Sequence, residues 1–147
     1  MAEPTVDDVA QLNPLVGEWA MASPVGAAGE ASFAWLRGER FLVQRWTMEP
    51  PEFPDGVAVL GADPDTGRLV QHYFDSRGVR RTYHTSLRDR VWRLWREDPD
   101  WWQRFTGTIS EDGATIAGRW ENSSDSGRTW EHDFDLAYTR ASHNPPG

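Results

Sequence analysis

The stretch Trp120-Glu-Asn-Ser-Ser-Asp-Ser-Gly-Arg-Thr-Trp130-Glu-His-Asp-Phe-Asp-Leu-Ala-Tyr-Thr-Arg140 decides the fold prediction, because it reads as two strands joined by a turn that contains Gly127. Its second half alternates between two sets of side chains. One set is Trp130, His132, Phe134, Leu136 and Tyr138, and the other is Thr129, Glu131, Asp133 and Asp135. Since successive side chains of a strand point to opposite faces of a sheet, the aromatic set is predicted to line an interior and the charged set to meet water.

The same alternation runs through the chain from Gly17 onwards, interrupted by turn signals about every ten residues. The candidate strands are Glu18–Ala22, Glu30–Leu36, Arg40–Glu49, Val57–Leu60, Arg68–Asp75, Val79–Leu87, Val91–Arg96, Trp101–Ile109, Thr115–Asn122 and Thr129–Arg140. The connections are as short as hairpins, whereas parallel strands need long crossovers. We therefore predict an all-β domain that forms a single antiparallel up-and-down β-barrel of about ten strands, because closure removes exposed edges. A two-sheet sandwich is the alternative.

The two ends of the chain differ from this central pattern. Residues 1–16 form a polar lead-in in which Val9, Leu12 and Val16 have helical spacing. We expect a short N-terminal helix, interrupted at Pro14, that covers one end of the barrel. Residues 17–140 are then the β-barrel domain, and residues 141–147 are predicted to be a disordered tail.

Composition excludes several classes of function. The chain has no Cys, and all fifteen of its basic residues are Arg, so thiolate sites and Lys Schiff-base chemistry are ruled out. A net charge of -8 argues against binding to nucleic acid, whose recognition depends on basic phosphate contacts. No apolar run approaches the roughly 20 residues that cross a bilayer, and no signal peptide is evident, so no membrane partner is expected. We expect a cytoplasmic protein that is a monomer or a homodimer.

Motifs of common enzyme classes are missing. The sequence has no glycine-rich phosphate-binding loop, no metalloprotease helix motif and no nucleophile elbow. Nine Trp in a chain of 147 residues are the most unusual feature of the composition, and they predict either a packed core or an aromatic-walled pocket. A binding protein is therefore expected in preference to an enzyme.

Turn lengths predict which side chains share the inner face, because a turn fixes the register of its hairpin. Three-residue loops at Glu111-Asp-Gly113 and Asp125-Ser-Gly127 place Arg104 opposite Trp120, and Trp120 opposite His132. Arg119 would then lie beside Asp133 on the outer face. The predicted ligand-binding residues on the inner face of the last three strands are Trp102, Arg104, Trp120, Trp130, His132, Phe134 and Tyr138.

An Arg inside a barrel is costly unless it is paired or solvated. Arg104 would therefore meet an anionic group of a ligand, or else stack on Trp120 as a structural cation–π contact. The Ser76-Arg-Gly78 turn pairs Asp75 with Val79, so His72 and His84 share a face. These two His residues are candidate ligand contacts; no third residue at metal-binding spacing accompanies them, so no metal site is predicted.

Six segments occur in a fixed order along the chain: Gly17-Glu-Trp19 after a short helix, Arg40-Phe-Leu-Val-Gln-Arg45, His72-Tyr-Phe-Asp-Ser-Arg-Gly78, Gln103-Arg-Phe-Thr-Gly107, Gly118-Arg-Trp-Glu121 and Trp130-Glu-His-Asp-Phe-Asp135. Together they resemble a family of uncharacterised bacterial proteins with a calycin barrel, similar to lipocalins and fatty-acid-binding proteins. The resemblance implies the barrel fold and a cavity. We predict that this cavity binds a small, partly apolar and anionic molecule, whose carboxylate Arg104 and Tyr138 would hold in the way that fatty-acid-binding barrels hold theirs.

Two alternatives come from the same resemblance. Nitrobindins are calycins that hold haem through a His on a late strand, which would make His132 the axial ligand; the chain lacks their Gly-x-Gly run after Gly-x-Trp. Calycin-type barrels also host cyclases and isomerases, for which His132 or the pair His72 and His84 would be the acid–base group.

Overall fold

The computed structural model describes residues 8–141 as one closed barrel with a short helix at one end. A 3-10 helix spans Val9–Leu15. Ten strands follow: β1 (Gly17–Ser23), β2 (Ala27–Trp35), β3 (Phe41–Glu49), β4 (Gly56–Ala62), β5 (Leu69–Asp75), β6 (Arg80–Arg88), β7 (Val91–Asp98), β8 (Trp101–Ile109), β9 (Thr115–Ser123) and β10 (Glu131–Arg140).

Every strand pairs with its sequence neighbours in antiparallel fashion, and β1 pairs with β10 to close the ring. The closing pairs include Met21 with Tyr138. The predicted all-β, ten-stranded antiparallel barrel is therefore confirmed, and the sandwich alternative is wrong. The bounds of the strands differ most for β2, which begins at Ala27 instead of Glu30. The predicted disordered tail lies outside the described residues, apart from Ala141.

The helix seals one end of the barrel. Leu12 and Leu15 are fully buried against the core, and Pro14 lies within the helix instead of interrupting it. Trp19 Nε1 donates to the Leu15 carbonyl oxygen at 2.9 Å, and the Arg140 guanidinium donates to the carbonyls of Pro14 and Val16. Buried apolar contacts and these hydrogen bonds hold the helix to β1 and β10, so this end is closed to solvent.

Aromatic side chains fill the interior next to the sealed end. The rings of Phe33 on β2 and Trp92 on β7 are 5.8 Å apart, although these strands lie on opposite sides of the ring. Trp92 also contacts Phe105 at 5.1 Å and Tyr138 at 6.1 Å. Because opposite walls meet through edge-to-face contacts, this half of the barrel is a packed core and not a cavity.

The predicted register is correct for one hairpin and wrong for two. His72 pairs with Thr82 across β5 and β6, as predicted. Between β8 and β9 the loop is one residue longer than predicted, because Ser110 N donates to the Thr115 carbonyl oxygen. Asp112 stabilises this longer loop by accepting from Ala114 N and from Ser110 Oγ. A slip of one residue exchanges the faces of a strand.

The β9–β10 hairpin contains a bulge that the turn count could not anticipate. His132 pairs with Glu121, but Phe134 pairs with Trp120, so Asp133 is the extra residue. Asp135 therefore lies opposite Arg119, where Asp133 was predicted.

Close packing across β8 and β9 requires a glycine. Gly107 pairs with Gly118, and a Cβ on Gly118 would lie 2.5 Å from the Phe105 ring and 2.5 Å from the Leu136 carbonyl oxygen. We expect Gly118→Ala to lower the free energy of unfolding by about 1–3 kcal/mol through overpacking. Urea unfolding followed by Trp fluorescence measures this loss. Ala117→Ser, at the neighbouring exposed position, is the control, and an equal loss in both variants would contradict the packing argument.

Within residues 8–141, none of the helices has the length and apolar character needed to span a bilayer.

Candidate functional site

The end of the barrel opposite the helix is a mouth with an aromatic floor. We define the mouth floor as the inward-facing residues Trp46, Tyr73, Trp120 and Phe134, which are all half-buried. Tyr73 stacks on Trp46 at 5.4 Å, and Phe134 stacks on Trp120 at 6.3 Å. The buried Tyr83 ring contacts both Tyr73 and Trp120, so it joins the two stacked pairs. Apolar surface that faces inward yet stays accessible to solvent is a feature of ligand-binding clefts.

Polar groups of β6, β7 and β8 lie beside this floor. Gln103 Oε1 accepts from Arg96 Nε at 2.5 Å and from the Tyr83 hydroxyl at 3.4 Å. Arg96 also forms an ion pair with Asp98 at the rim. Arg81 faces inward in the row of Tyr83 and is half-buried, and within residues 8–141 its guanidinium has no hydrogen-bond or ion-pair partner. The mouth therefore carries one cation whose charge is not offset by a neighbouring carboxylate.

A buried carboxylate organises the β5–β6 turn below Tyr73. The Asp75 side chain is fully buried and accepts from Arg77 Nη2 at 2.6 Å, from the Tyr73 hydroxyl at 2.6 Å and from Arg77 N at 2.9 Å. These hydrogen bonds outweigh burial and hold the pKa of Asp75 well below its usual range. Burial, together with the hydrogen bond to Asp75, raises the pKa of Tyr73, so Tyr73 stays protonated as a donor.

Three of the predicted site residues face inward as expected, but they are not equally accessible. Trp120 and Phe134 belong to the mouth floor. Tyr138 is buried at the sealed end, in contact with Trp19 at 6.3 Å, and burial raises the pKa of its phenol. Tyr138 is therefore remote from the mouth and cannot form the predicted clamp with Arg104.

The other predicted site residues lie on the outer wall, which corrects their predicted facing. They are Trp102, Arg104, Trp130, His132, His72 and His84. On β8 the buried inward residues are Phe105, Gly107 and Ile109 instead, because of the slipped register. His72 and His84 do share a face, as predicted, but both are exposed, and His84 stacks on Trp95 at 5.5 Å.

The outer wall nevertheless brings Trp102, Arg104 and Trp130 together. The Arg104 guanidinium lies 3.9 Å from the Trp130 ring centroid, and the Trp102 and Trp130 rings are 6.5 Å apart. Arg104 Nε and Nη2 donate to the Glu121 carboxylate at 3.0 and 3.3 Å. These side chains line a groove of about 470 Å³ over β7, β8 and β9, which we call the outer groove.

The turn between β9 and β10 fixes the position of Trp130. Asp125 accepts from Thr129 N at 2.8 Å, from Thr129 Oγ1 and from Ser123 Oγ, and these hydrogen bonds lower the pKa of Asp125 to about 2. Gly127 has a φ of 82° and lies under the Trp102 ring, so closely that a Cβ there would be 2.5 Å from it. Gly127 of this turn therefore packs against the Trp102 ring, and the turn places Trp130 next to Trp102.

His132 does not fit the role of an internal haem ligand. It is exposed on the outer wall, and its Nε2 lies 2.8 Å from Asp135 Oδ1. No His among residues 8–141 faces the barrel interior. In the same part of the chain, no three His, Cys, Asp or Glu side chains are grouped closely enough to hold a metal ion.

Sequence reasoning missed Arg96, Gln103 and Trp46 as inward residues of the mouth. Arg81 and Tyr73 are two further inward residues that were not predicted. In the structure, Gln71 on β5 and Tyr83 and Thr85 on β6 continue their faces into the core.

Comparisons with known proteins bear on the fold. No family model matches the chain, and no curated protein matches it. Among solved structures, Rv2717c from M. tuberculosis superposes with a TM-score of 0.62 over 94% of this chain and 100% of its own, at 15% sequence identity. At that identity the similarity supports the barrel fold, and the fold alone.

Proposed function

We propose that the protein binds a small, partly apolar anion at the mouth of the barrel. The observation that carries this proposal is the contrast between two groups of inward aromatic residues: Phe33, Trp92 and Tyr138 near the helix are almost fully buried, whereas the four residues of the mouth floor are only partly buried. Apolar surface left accessible to solvent gains free energy when a ligand covers it, by about 25 cal/mol per Å².

The charge of the ligand follows from Arg81. Arg81 lies opposite Tyr73 and is half-buried. An unpaired guanidinium in such a position attracts an anion more strongly than it would in open water, because the surrounding protein lowers the local dielectric. Arg96 adds a second guanidinium, but Asp98 and Gln103 already accept from it. We therefore assign the anionic group of the ligand to Arg81 and its apolar part to the mouth floor.

The test uses two fluorescent probes that differ in charge, 1-anilinonaphthalene-8-sulfonate and the neutral N-phenyl-1-naphthylamine. Arg81→Gln should weaken binding of the sulfonate by about tenfold, or ~1.4 kcal/mol. The affinity for the neutral probe should change by less than about twofold. Trp120→Ala should weaken both probes, since it removes part of the mouth floor.

Arg80→Gln is the matched control, because it removes the same charge from the exposed neighbouring position on β6, whose side chain points away from the mouth and does not line the outer groove; it should leave binding of the sulfonate within about twofold. If Arg80→Gln weakened the sulfonate and Arg81→Gln did not, the mouth would be the wrong site. Equal effects of Arg81→Gln on both probes would overturn the assignment of the anionic group.

The calycin resemblance is part of this proposal. It is supported by Gly17-Glu-Trp19 directly after the helix and by the ring of ten antiparallel strands. The two alternatives, haem binding through His132 and catalysis by a cavity His, receive no such support, because His72, His84 and His132 all lie on the outer wall.

A further inference from the structure

We propose that the outer groove is a second binding site, specific for a planar aromatic carboxylate. The Trp side chains that line it point out of the barrel, so a ligand in the outer groove would not occupy the mouth. Outer walls of antiparallel sheets are normally polar where they meet water, yet Trp95, Trp102 and Trp130 are half-buried here and line the groove together. Their flat faces offer stacking surfaces to a planar ligand.

The groove is also preorganised. Arg104 is held flat on Trp130 and bonded to Glu121 through two of its nitrogens, while the Asp125-centred turn holds Trp130 and seats Trp102. A surface formed by side chains that are already fixed loses little conformational entropy when a ligand binds.

The hydrogen-bonding groups left over in the groove are mostly donors. Within residues 8–141, the indole N–H groups of Trp95, Trp102 and Trp130 have no acceptor, and the Arg93 guanidinium is exposed and unpaired. Arg104 keeps Nη1 for a further bond. The acceptors among the outward lining groups are the Thr106 hydroxyl, the exposed Glu97 at the rim, and Glu121, which already accepts from Arg104. A cluster of free donors beside aromatic faces selects a ligand that carries acceptors and negative charge.

A second groove on the opposite wall provides a comparison within the same molecule. It measures about 370 Å³ and is lined on its outer side by Glu18, Glu30 and Arg45 together with small residues. It has more carboxylates than guanidinium groups and no outward Trp. Of these two grooves, the outer groove is therefore the one that combines outward Trp side chains with an excess of hydrogen-bond donors.

The experiment is a titration of the ¹⁵N-labelled protein with naphthalene-2-carboxylate, following the indole N–H signals of its nine Trp residues, each assigned from a Trp→Phe variant. The signals of Trp95, Trp102 and Trp130 should shift and saturate together. Trp130→Ala should abolish the shifts, while Trp101→Ala, at an exposed Trp outside the groove, should preserve them.

Variants of Arg104 and Glu121 distinguish binding of the carboxylate from a purely structural role of this ion pair. Arg104→Gln should weaken binding of naphthalene-2-carboxylate by at least tenfold. Glu121→Gln should strengthen binding by about threefold, because it removes a negative charge beside Arg104 while Arg104 stays stacked on Trp130. Both variants break the same ion pair, so a purely structural role would move them in the same direction, and that result would overturn the proposal. Shifts confined to Trp46 and Trp120 would place the probe in the mouth and equally refute a site in the outer groove, as would the absence of any shift.

Discussion

Replacing Trp92 with Ala is expected to lower the free energy of unfolding by about 3–5 kcal/mol, the usual cost of truncating a large buried ring. Trp92 is almost completely buried and contacts Phe33, Phe105 and Tyr138, which lie on three other strands. Its removal leaves a cavity at the level where opposite walls of the barrel meet. No single neighbour can fill that cavity, because the strands around it are fixed by the closed ring.

Chemical denaturation followed by far-ultraviolet circular dichroism measures this loss. Trp95→Ala, three residues along the same strand but on the outer wall, is the matched control and should cost less than about 1 kcal/mol. Should Trp92→Ala prove too unstable to purify, Trp92→Phe keeps the ring packing but loses the Nε1 hydrogen bond to Thr85 Oγ1, and an intermediate loss is expected. Similar losses at positions 92 and 95 would contradict a packed core at the sealed end.

The architecture was predictable because its causes are local. Alternation of apolar and polar residues is a property of each strand by itself, and short turns leave antiparallel pairing as the only connection. The closed ring follows from the same observations, since ten strands joined by nine consecutive hairpins would otherwise leave two exposed edges. Neither the alternation of residues nor the length of the connections depends on the exact register, so the fold is predicted correctly although the register of two hairpins is not.

The facing of individual side chains was not predictable, because it depends on one residue in each turn. Asp112 bonds to Ala114 N and Ser110 Oγ, which stabilises a loop one residue longer than the position of Gly113 suggested. This single residue moves Arg104 from the inner face to the outer one. The bulge after His132 places His132 on the outer face opposite Glu121, whereas Phe134, Leu136 and Tyr138 keep their predicted inward facing.

The chemical character of the site was predicted more accurately than the residues that form it. An inward Arg next to aromatic rings was expected, and one is present, but it is Arg81 in place of Arg104. The predicted group of Trp102, Arg104 and Trp130 does assemble, on the outer wall. Alternate residues of one strand lie on the same face of the sheet, whichever face that is. The sequence could therefore predict that these residues lie together, but not that they lie on the outer wall.

Asp75→Asn is expected to lower the free energy of unfolding by about 2–4 kcal/mol at neutral pH, through loss of charge-assisted hydrogen bonds to a buried carboxylate. Asp75 accepts from the Tyr73 hydroxyl, the Arg77 guanidinium and Arg77 N while its own side chain has no exposed surface. An amide cannot receive all of these donors, and it carries no charge to offset Arg77. Thermal and urea unfolding of the two proteins at pH 7 measure the difference.

The pH dependence of that difference identifies its origin. Because the pKa of Asp75 is lower in the folded protein than its unfolded value of about 4, its charge contributes stability that is fully present above pH 4 and is lost as the pH falls towards the folded pKa. The difference in free energy of unfolding between the wild-type protein and Asp75→Asn should therefore be constant from pH 7 to about pH 5. It should decrease steadily below pH 4. Asp65→Asn, at an exposed carboxylate in the β4–β5 turn, should differ little from the wild type throughout. A difference at Asp75 that stayed constant down to pH 2 would mean that the substitution acts through shape and not through charge.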